Sequence, residues 1–485
     1  MTGTSGHSER GGAGKPPKHR ALVGGTLING SGEEPIERGT LLIEGAKITG
    51  IGAQAHVPIP DQTEIIDVGG RYVLPGLIDA NVHLVPWPSW TFIEFLARYE
   101  GRFEAIIEEA AQIALRHGFT TVFDSMGPLA PLMAVRDSID KGDVLGSRIR
   151  VAGNIVGFRA VFTTPEAMAS ATKPFQRRMN DLFEAGGGAD LGWCAPDELY
   201  DRMRAYVAQG VDFVKYGATG DGEPVNSEVG QEAVLRFSPE QQRAIVQSVH
   251  DADKTVQTHT TSAESLHIAV QVGNDMGQHA SITRHSRIYE STISLMREQH
   301  YSCGTQWDPL TADEQEFLRR GDSWHSKSAL SRDRAYELEN AVRLIEAGIP
   351  QLVSTDAGTI DPDVMEHFAP DAVPGGLGRV TSLLGEAEFL NMRGMRQRGM
   401  TPMQIIRAAT QNIARAYKCD DEFGTLEIGK AADVVVVDRD PLVDPENLRQ
   451  VSLVLKGGVP VVREDLPERP VLTSQESISA GVRSR

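Results

Sequence analysis

The 485-residue sequence predicts an α/β fold, namely a (β/α)8 TIM-type barrel with a small β-sandwich satellite domain formed by both chain ends. Two observations support this prediction. Short apolar, β-branched runs alternate with amphipathic helical stretches between residues 73 and 418, and further β-like runs lie on both sides of that region. A doubly wound open sheet gives the same alternation, so periodicity alone leaves that architecture possible.

The β-like runs at the two ends match each other. Residues 21–66 contain short runs broken by turn signals such as Asn29-Gly30, and residues 424–462 contain a similar set. The sequence beyond these two sets of runs is poor in apolar residues, as is typical of mobile segments. We therefore predict a flexible tail at 1–19, a satellite domain from 20–72 plus 422–465, a barrel at 73–421 and a second flexible tail at 466–485.

The composition is that of a globular chain with an acidic surface. Hydrophobic residues make up 40% and charged residues 24%, and the formal net charge is -18. Because nucleic acids and anionic membranes bind basic surfaces, we predict neither as a partner. No apolar run reaches the roughly 18 residues that a membrane-spanning helix needs.

The cysteines and the N-terminus carry no secretory signature. Cys194, Cys303 and Cys419 contain no C-x-x-C pair, so neither a disulfide framework nor a thiolate zinc site follows. Residues 1–20 lack the apolar segment of a signal peptide, and a cytoplasmic location is therefore the expectation.

Polar side chains close successive apolar runs, as catalytic groups do at the carboxyl ends of barrel strands. The run at residues 72–78 leads to Asn81 and His83, which the period of two places on one face of a strand. Lys215 closes the run at 211–214. A lysine that points into a barrel needs a partner or a modification, because a buried ammonium is costly.

The later runs end in the same way. His259 ends one run, His279 follows one helix later, and Asp356 ends the run at residues 351–355. Taken singly, such a histidine is usually a structural residue and such an aspartate a helix cap. Together they predict a metal site, whose imidazole and carboxylate ligands suit zinc, cobalt, manganese or iron.

These motifs resemble those of the amidohydrolase superfamily over about residues 20–465. The run at 73–79 resembles the strand that carries the family's first metal motif, and the segment from Thr401 to Asp438 resembles its closing helix and return to the satellite sheet. The resemblance implies that Lys215 is a candidate for carboxylation. It further implies His259 and His279 as metal ligands, with Asp356 as both ligand and catalytic group.

The first metal motif of this chain differs from the usual family motif, and the difference points to a subgroup. The family usually has His-x-His where this chain has Asn81-Val82-His83, and an amide oxygen is a weaker ligand than imidazole. This Asn-x-His variant resembles the subgroup of phenylurea hydrolases and their relative molinate hydrolase. The resemblance implies His83 as a ligand, Asn81 as a weak one, and Asp356 and His279 as catalytic residues.

Aromatic residues near the expected site suit a small, neutral, apolar substrate. We predict that Trp87, Phe158 and Trp307 bind it, and further aromatic residues occur nearby in sequence at Trp90, Phe92, Phe162 and Trp324. Each of these side chains could equally pack a loop onto the barrel.

The resemblance implies metal-dependent hydrolysis of the carbamoyl C–N bond of a diuron-like phenylurea to an aniline and a carbamic acid. It implies one or two divalent metal ions, with zinc first and cobalt or manganese as alternatives, and a homo-oligomeric state. Three other functions stay open. They are a thiocarbamate hydrolase; a dipeptidase or imidazolonepropionase-like enzyme, for which Arg159, Arg284 or Arg379 could hold a carboxylate; and a catalytically silent scaffold, which only Asn81 supports.

Overall fold

The computed structural model describes residues 19–85, 92–158, 172–219, 235–283, 286–305, 307–321, 330–361 and 383–474. The strands are β1 (His19–Leu27), β2 (Ile36–Glu44), β3 (Lys47–Ala53), β4 (Glu64–Asp67), β5 (Tyr72–Pro75), β6 (Leu77–Val82), β7 (Phe119–Asp124), β8 (Arg148–Val151), β9 (Ile155–Val156), β10 (Val214–Gly217), β11 (Val256–His259), β12 (Met276–Gln278), β13 (Ser302–Gly304), β14 (Gln351–Leu352), β15 (Val434–Val437), β16 (Val451–Lys456) and β17 (Val459–Pro460).

The helices alternate with the strands between β6 and β15. They are α1 (Phe92–Tyr99), α2 (Phe103–Arg116), α3 (Leu129–Lys141), α4 (Lys173–Glu184), α5 (Pro196–Val207), α6 (Pro239–His250), α7 (Ala263–Gln271), α8 (Glu290–Glu298), α9 (Ala312–Arg320), α10 (Arg332–Glu346), α11 (Ala387–Gln397), α12 (Pro402–Ala408) and α13 (Gln411–Ala416). None of the helices in the described ranges is long and apolar enough to cross a membrane.

Local sequence signals set several helix starts. Ser238 before α6 and Thr401 before α12 each accept a hydrogen bond from the backbone of a glutamine three residues later, whose side chain bonds back. Proline occupies the first turn of both helices. This reciprocal capping satisfies backbone donors that the first turn leaves without partners.

Both chain ends contribute to one eight-stranded sheet, in the order β17-β16-β15-β5-β1-β2-β3 with β4 beside β1. The terminal strands in the described ranges thus form one hydrogen-bonded sheet, whereas the sequence predicted a β-sandwich. The reason lies in β1, whose pairing with β2 shifts register between Val23 and Leu27. Its first half pairs with β4 and its second half with β5, so β1 connects the N-terminal strands to β5, which in turn pairs with β15.

The valines of β15 join this sheet to the rest of the molecule. Val434 and Val436 pack in the core of the eight-stranded sheet, whereas Val435 and Val437 belong to the large core formed with the helices and parallel strands. Alternation of side chains along a strand gives one four-residue run two buried faces. This explains why the run is uniformly apolar.

The central strands are parallel and form two ladders, β14-β13-β12-β11-β10-β9 and β6-β7-β8. Backbone hydrogen bonds join them at both ends. The amide of Asp356 donates to the Asn81 carbonyl at 2.8 Å, and the amide of Asp212 donates to the Val151 carbonyl at 2.7 Å. The fold is therefore α/β with parallel sheets. No closed barrel is detected as one continuous ladder in the ranges described.

Residues 466–474 differ from the flexible tail predicted there. Arg116 of α2 donates to the backbone carbonyl of Leu466, and Thr473 is fully buried. Leu472 packs against Tyr99 and Ile106. The composition of this segment is polar, but a few anchoring contacts suffice to order it against the helices.

Candidate active site

Asn81, at the end of β6, connects the predicted carboxylate to the predicted lysine. Its amide nitrogen donates to Asp356 Oδ1 at 2.6 Å, and its carbonyl oxygen accepts from Lys215 Nζ at 3.0 Å. All three side chains are buried. The asparagine side chain thus bridges the Asp356 carboxylate and the Lys215 side-chain nitrogen. Strands β6 and β10 and the segment after β14 therefore meet at one centre.

Two imidazoles lie beside the same carboxylate, and a third packs against one of them. His83 Nε2 lies 3.1 Å from Asp356 Oδ1, and His279 Nε2 lies 3.6 Å from Asp356 Oδ2. The rings of His259 and His279 meet edge to face, with centroids 4.7 Å apart. Structure and prediction therefore agree that Asn81, His83, Lys215, His259, His279 and Asp356 come together, although they lie on separate parts of the chain.

Burial sets the charge states in this cluster. It lowers the pKa of His259 well below the usual range, with His279 and Lys215 adding to the effect. It lowers the pKa of His279 to about 4, although Asp356 opposes this shift. Burial alone would raise the pKa of Asp356, but His279, His83 and Lys215 hold it well below its ordinary value. At neutral pH the site therefore presents two neutral imidazoles and an ionised carboxylate.

The backbone is strained at two of these residues. His279 has φ of 58° and Asp356 has φ of 60°, in the left-handed region that non-glycine residues seldom adopt. Such a conformation costs about 1–3 kcal/mol and persists where the surroundings fix it. The strain at both sites is typical of a functional centre.

Asp79 supplies part of that fixation. Its carboxyl group is fully buried and accepts hydrogen bonds from the backbone N–H of Asn81 at 3.0 Å and of Thr355 at 3.3 Å. It also accepts from the Thr355 hydroxyl at 2.6 Å. It therefore ties β6 to the residue before Asp356. Asp79 was not among the predicted site residues, although its spacing of two from Asn81 places it on the same face of the strand.

The side chains of this cluster have the donor chemistry of a metal site but not yet its arrangement. Among the described residues, no group of three or more His, Cys, Asp or Glu side chains is arranged to hold an ion. Asp356 instead bonds to Asn81 and His83, and Asn81 and Lys215 fall outside those four residue types. The chemistry of the donors nevertheless fits a metal, because His259 Nε2 is buried without a hydrogen-bond partner in the described ranges. Neutral imidazole is the form that binds metal.

The predicted substrate residues are placed differently from one another. The Phe158 ring meets the His259 ring edge to face at 5.3 Å and packs against Gly217, where an added Cβ would lie 2.1 Å from the ring. Trp307 is fully buried, and Arg398 lies over its ring. The side chains of the remaining candidates lie outside the described part of the chain; they are Trp87, Trp90, Phe92, Phe162, Trp324, Arg159, Arg284 and Arg379. A substrate role for Trp87, Phe158 and Trp307 stays a prediction.

A buried cluster of imidazoles, lysine and carboxylate at the carboxyl ends of parallel strands is typical of hydrolytic enzymes on an α/β scaffold. The chain belongs to the amidohydrolase family, whose model matches residues 72–461. Members of this family typically use divalent metals.

Individual relatives agree with this assignment. A structure of molinate hydrolase is 35% identical, covers 94% of this chain and 97% of its own, and has a TM-score of 0.82. A structure of phenylurea hydrolase B is 33% identical, covers 94% and 100%, and has a TM-score of 0.83. Ochratoxinase of Aspergillus niger is 24% identical over 90% of this chain and 85% of its own.

These comparisons confirm the predicted family and its subgroup resemblance. They also identify the chain as a hydrolytic enzyme that acts on non-peptide C–N bonds. The comparisons therefore do not support the silent-scaffold alternative.

Proposed function

We propose that this chain hydrolyses the carbamoyl C–N bond of a phenylurea, giving an aniline and a carbamic acid. The main support is the hydrogen-bonded chain Lys215–Asn81–Asp356 beside the neutral imidazoles of His259 and His279. The chain that carries it is 33% identical to phenylurea hydrolase B. We further propose that the two parallel ladders belong to one closed (β/α)8 barrel, since backbone hydrogen bonds join them at both ends.

The residues that would hold a divalent metal are His83, His259, His279 and Asp356, with Lys215 and a weak contribution from Asn81. Zinc is the first choice and cobalt or manganese the alternatives, in one or two copies. When bound, such an ion lowers the pKa of a coordinated water and polarises a carbonyl oxygen. Lys215 either becomes carboxylated and presents an anionic oxygen or remains an ammonium paired with Asn81.

The protein groups have separable roles in the reaction. The ionised Asp356 carboxylate accepts a proton from the attacking water and returns it to the departing nitrogen, so that the aniline leaves as a neutral amine. His279, a neutral imidazole beside Asp356, polarises the urea carbonyl as the tetrahedral intermediate forms. Asn81 holds Asp356 in place, and burial of the cluster keeps bulk water from competing for these hydrogen bonds.

A panel of substrates tests the proposal. The metal-reconstituted protein is given a dimethyl phenylurea, a thiocarbamate and an N-acyl dipeptide, and release of aniline, thiol and amino acid is followed separately. We expect aniline release that disappears on chelation and returns when a divalent ion is added. Release only from the dipeptide would overturn the proposed substrate class.

Thiol release would favour the second candidate, a thiocarbamate hydrolase, which the 35% identity to molinate hydrolase supports. The dipeptidase and imidazolonepropionase-like functions stay open as further alternatives, and the arginines that could hold a substrate carboxylate lie outside the described residues. A small neutral apolar substrate, the homo-oligomeric state and the cytoplasmic location remain proposals.

Phe158→Ala is expected to raise KM for a phenylurea by roughly threefold to tenfold, because an aromatic pair contributes about 0.5–1.5 kcal/mol beyond area burial. The reason is the position of the Phe158 ring against His259. An aliphatic thiocarbamate, which has no aryl ring, is the matched control and should show a smaller change. Equal effects on both substrates would mean that Phe158 supports the loop and does not contact the ring.

A further inference from the structure

We propose that residues 466–474, here called the C-terminal strap, position the loop that carries Asp356, with Thr473 and Arg469 as its positioning residues. The catalytic consequence rests on the proposed function, in which Asp356 moves the proton. The strap lies about a hundred residues beyond that loop in sequence, yet it contacts the loop directly.

Two strap residues bind the loop that follows Asp356. The Thr473 hydroxyl donates to the Thr359 carbonyl at 2.8 Å, and Thr473 is fully buried. Arg469 donates two hydrogen bonds, of 2.9 and 3.1 Å, to the carboxylate of Asp361, which is also fully buried. A two-point contact between a guanidinium and a carboxylate fixes orientation as well as distance.

Helix α2 holds the other side of the strap. The carboxylate of Glu109, a buried residue of α2, accepts from the amides of Val471 at 3.0 Å and Leu472 at 3.2 Å. The Leu472 side chain packs against Tyr99 and Ile106. The strap is therefore bound to helices α1 and α2 as well as to the loop.

The loop needs this support because its first residue is strained. Asp356 adopts φ of 60°, and the carbonyls of the next two residues accept backbone hydrogen bonds from other segments. The His83 amide donates to the Ala357 carbonyl at 2.8 Å, and the Leu384 amide donates to the Gly358 carbonyl at 3.1 Å. The strap supplies the contacts at Thr359 and Asp361, so hydrogen bonds hold the loop at four of the five residues after Asp356.

The hydroxyl of Thr473 can be removed and restored in the full-length metal-loaded enzyme. Thr473→Val keeps the shape of the side chain but not the hydroxyl, whereas Thr473→Ser keeps the hydroxyl. We expect Thr473→Val to lower kcat by about tenfold with KM within about twofold, since small misplacements of catalytic groups reduce rates strongly. Thr473→Ser should recover most of kcat, and a role in stability alone would not produce this separation of kcat from KM.

Hydrogen exchange at residues 357–361 provides a readout that needs no substrate. Arg469→Ala and Thr473→Val should each speed exchange there. Arg178→Ala is the matched control, because Arg178 makes the same two-point contact, at 2.9 and 3.1 Å, with the exposed carboxylate of Glu100. It should leave both exchange and kcat unchanged.

The outcomes separate the two proposals. Unchanged exchange at residues 357–361 in both strap variants would overturn the positioning role, whatever the substrate. Faster exchange in a protein that hydrolyses none of the ureas or thiocarbamates would support the strap while overturning the proposed function. Faster exchange with unchanged kcat in an active enzyme would overturn the link between the strap and Asp356.

Discussion

Asp356→Asn is expected to reduce C–N hydrolysis by about 10²–10⁴-fold, the range that a general acid–base group contributes. An amide can still accept the hydrogen bond from Asn81, so the fold should survive, but it cannot take a proton from water at neutral pH. Steady-state kinetics on the preferred substrate of the panel provides the measurement. The decrease in hydrolysis should appear in kcat.

A carboxylate outside the site controls for the general effect of the change. Asp251 is exposed and accepts a hydrogen bond from the Tyr200 hydroxyl. Asp251→Asn should retain full activity, and circular dichroism should show both variants folded. A folded Asp356→Asn variant with more than about a tenth of the parent kcat would contradict the role of Asp356 as the general base.

Asp433→Asn is expected to destabilise the protein by about 3–5 kcal/mol, the cost of breaking a buried ion pair. Asp433 Oδ2 lies 2.8 Å from Arg148 of β8 and 3.0 Å from Lys456 of β16, and its other oxygen accepts from the Gly457 amide. The variant would leave two largely buried cations near a neutral amide. The free energy of unfolding in urea is the measurement.

The stabilisation by Asp433 should depend on pH in a definite direction. Lys456 and Arg148 outweigh burial and hold the pKa of Asp433 below its unfolded value of 3.8. The stabilisation is therefore present above about pH 4 and is lost as the pH falls through the folded pKa. The gap in stability between the parent and Asp433→Asn should be full at neutral pH and narrow in acid.

A surface carboxylate provides the comparison for Asp433. Glu316 lies on the surface, where it pairs with two arginines of its own helix and keeps 40% of its side chain exposed. Glu316→Gln should leave the unfolding midpoint unchanged, as exposed pairs contribute little. If Asp433→Asn behaved like Glu316→Gln, the ion network would not stabilise the junction between the eight-stranded sheet and the parallel strands.

The sequence predicted much of the fold because periodicity is local. Runs such as residues 434–437 and 256–259 are strands, and the segments between them are helices. Features that depend on distant pairing were not predictable. The register shift in β1 that merges all terminal strands into one sheet leaves no compositional signal, and neither do the contacts that order residues 466–474.

The candidate site could be predicted to a similar degree. Polar residues that end successive strands meet in parallel folds, and the six predicted residues do so. Their individual contacts could not be predicted. Asn81 was interpreted as a weak ligand, but its side chain hydrogen-bonds to both Asp356 and Lys215. Asp79 is anchored by Thr355, which lies 276 residues away in sequence.

Anomalous scattering from a crystal grown with zinc or cobalt tests the central claim most directly, namely that this cluster is a metal centre. We expect a peak at bonding distance from His259 Nε2, the buried nitrogen that lacks a partner in the described residues, with His279 and Asp356 also bound. The peak should vanish in His259→Ala. An enzyme that is fully active while its anomalous peaks all lie away from His259, His279 and Asp356 would contradict the claim.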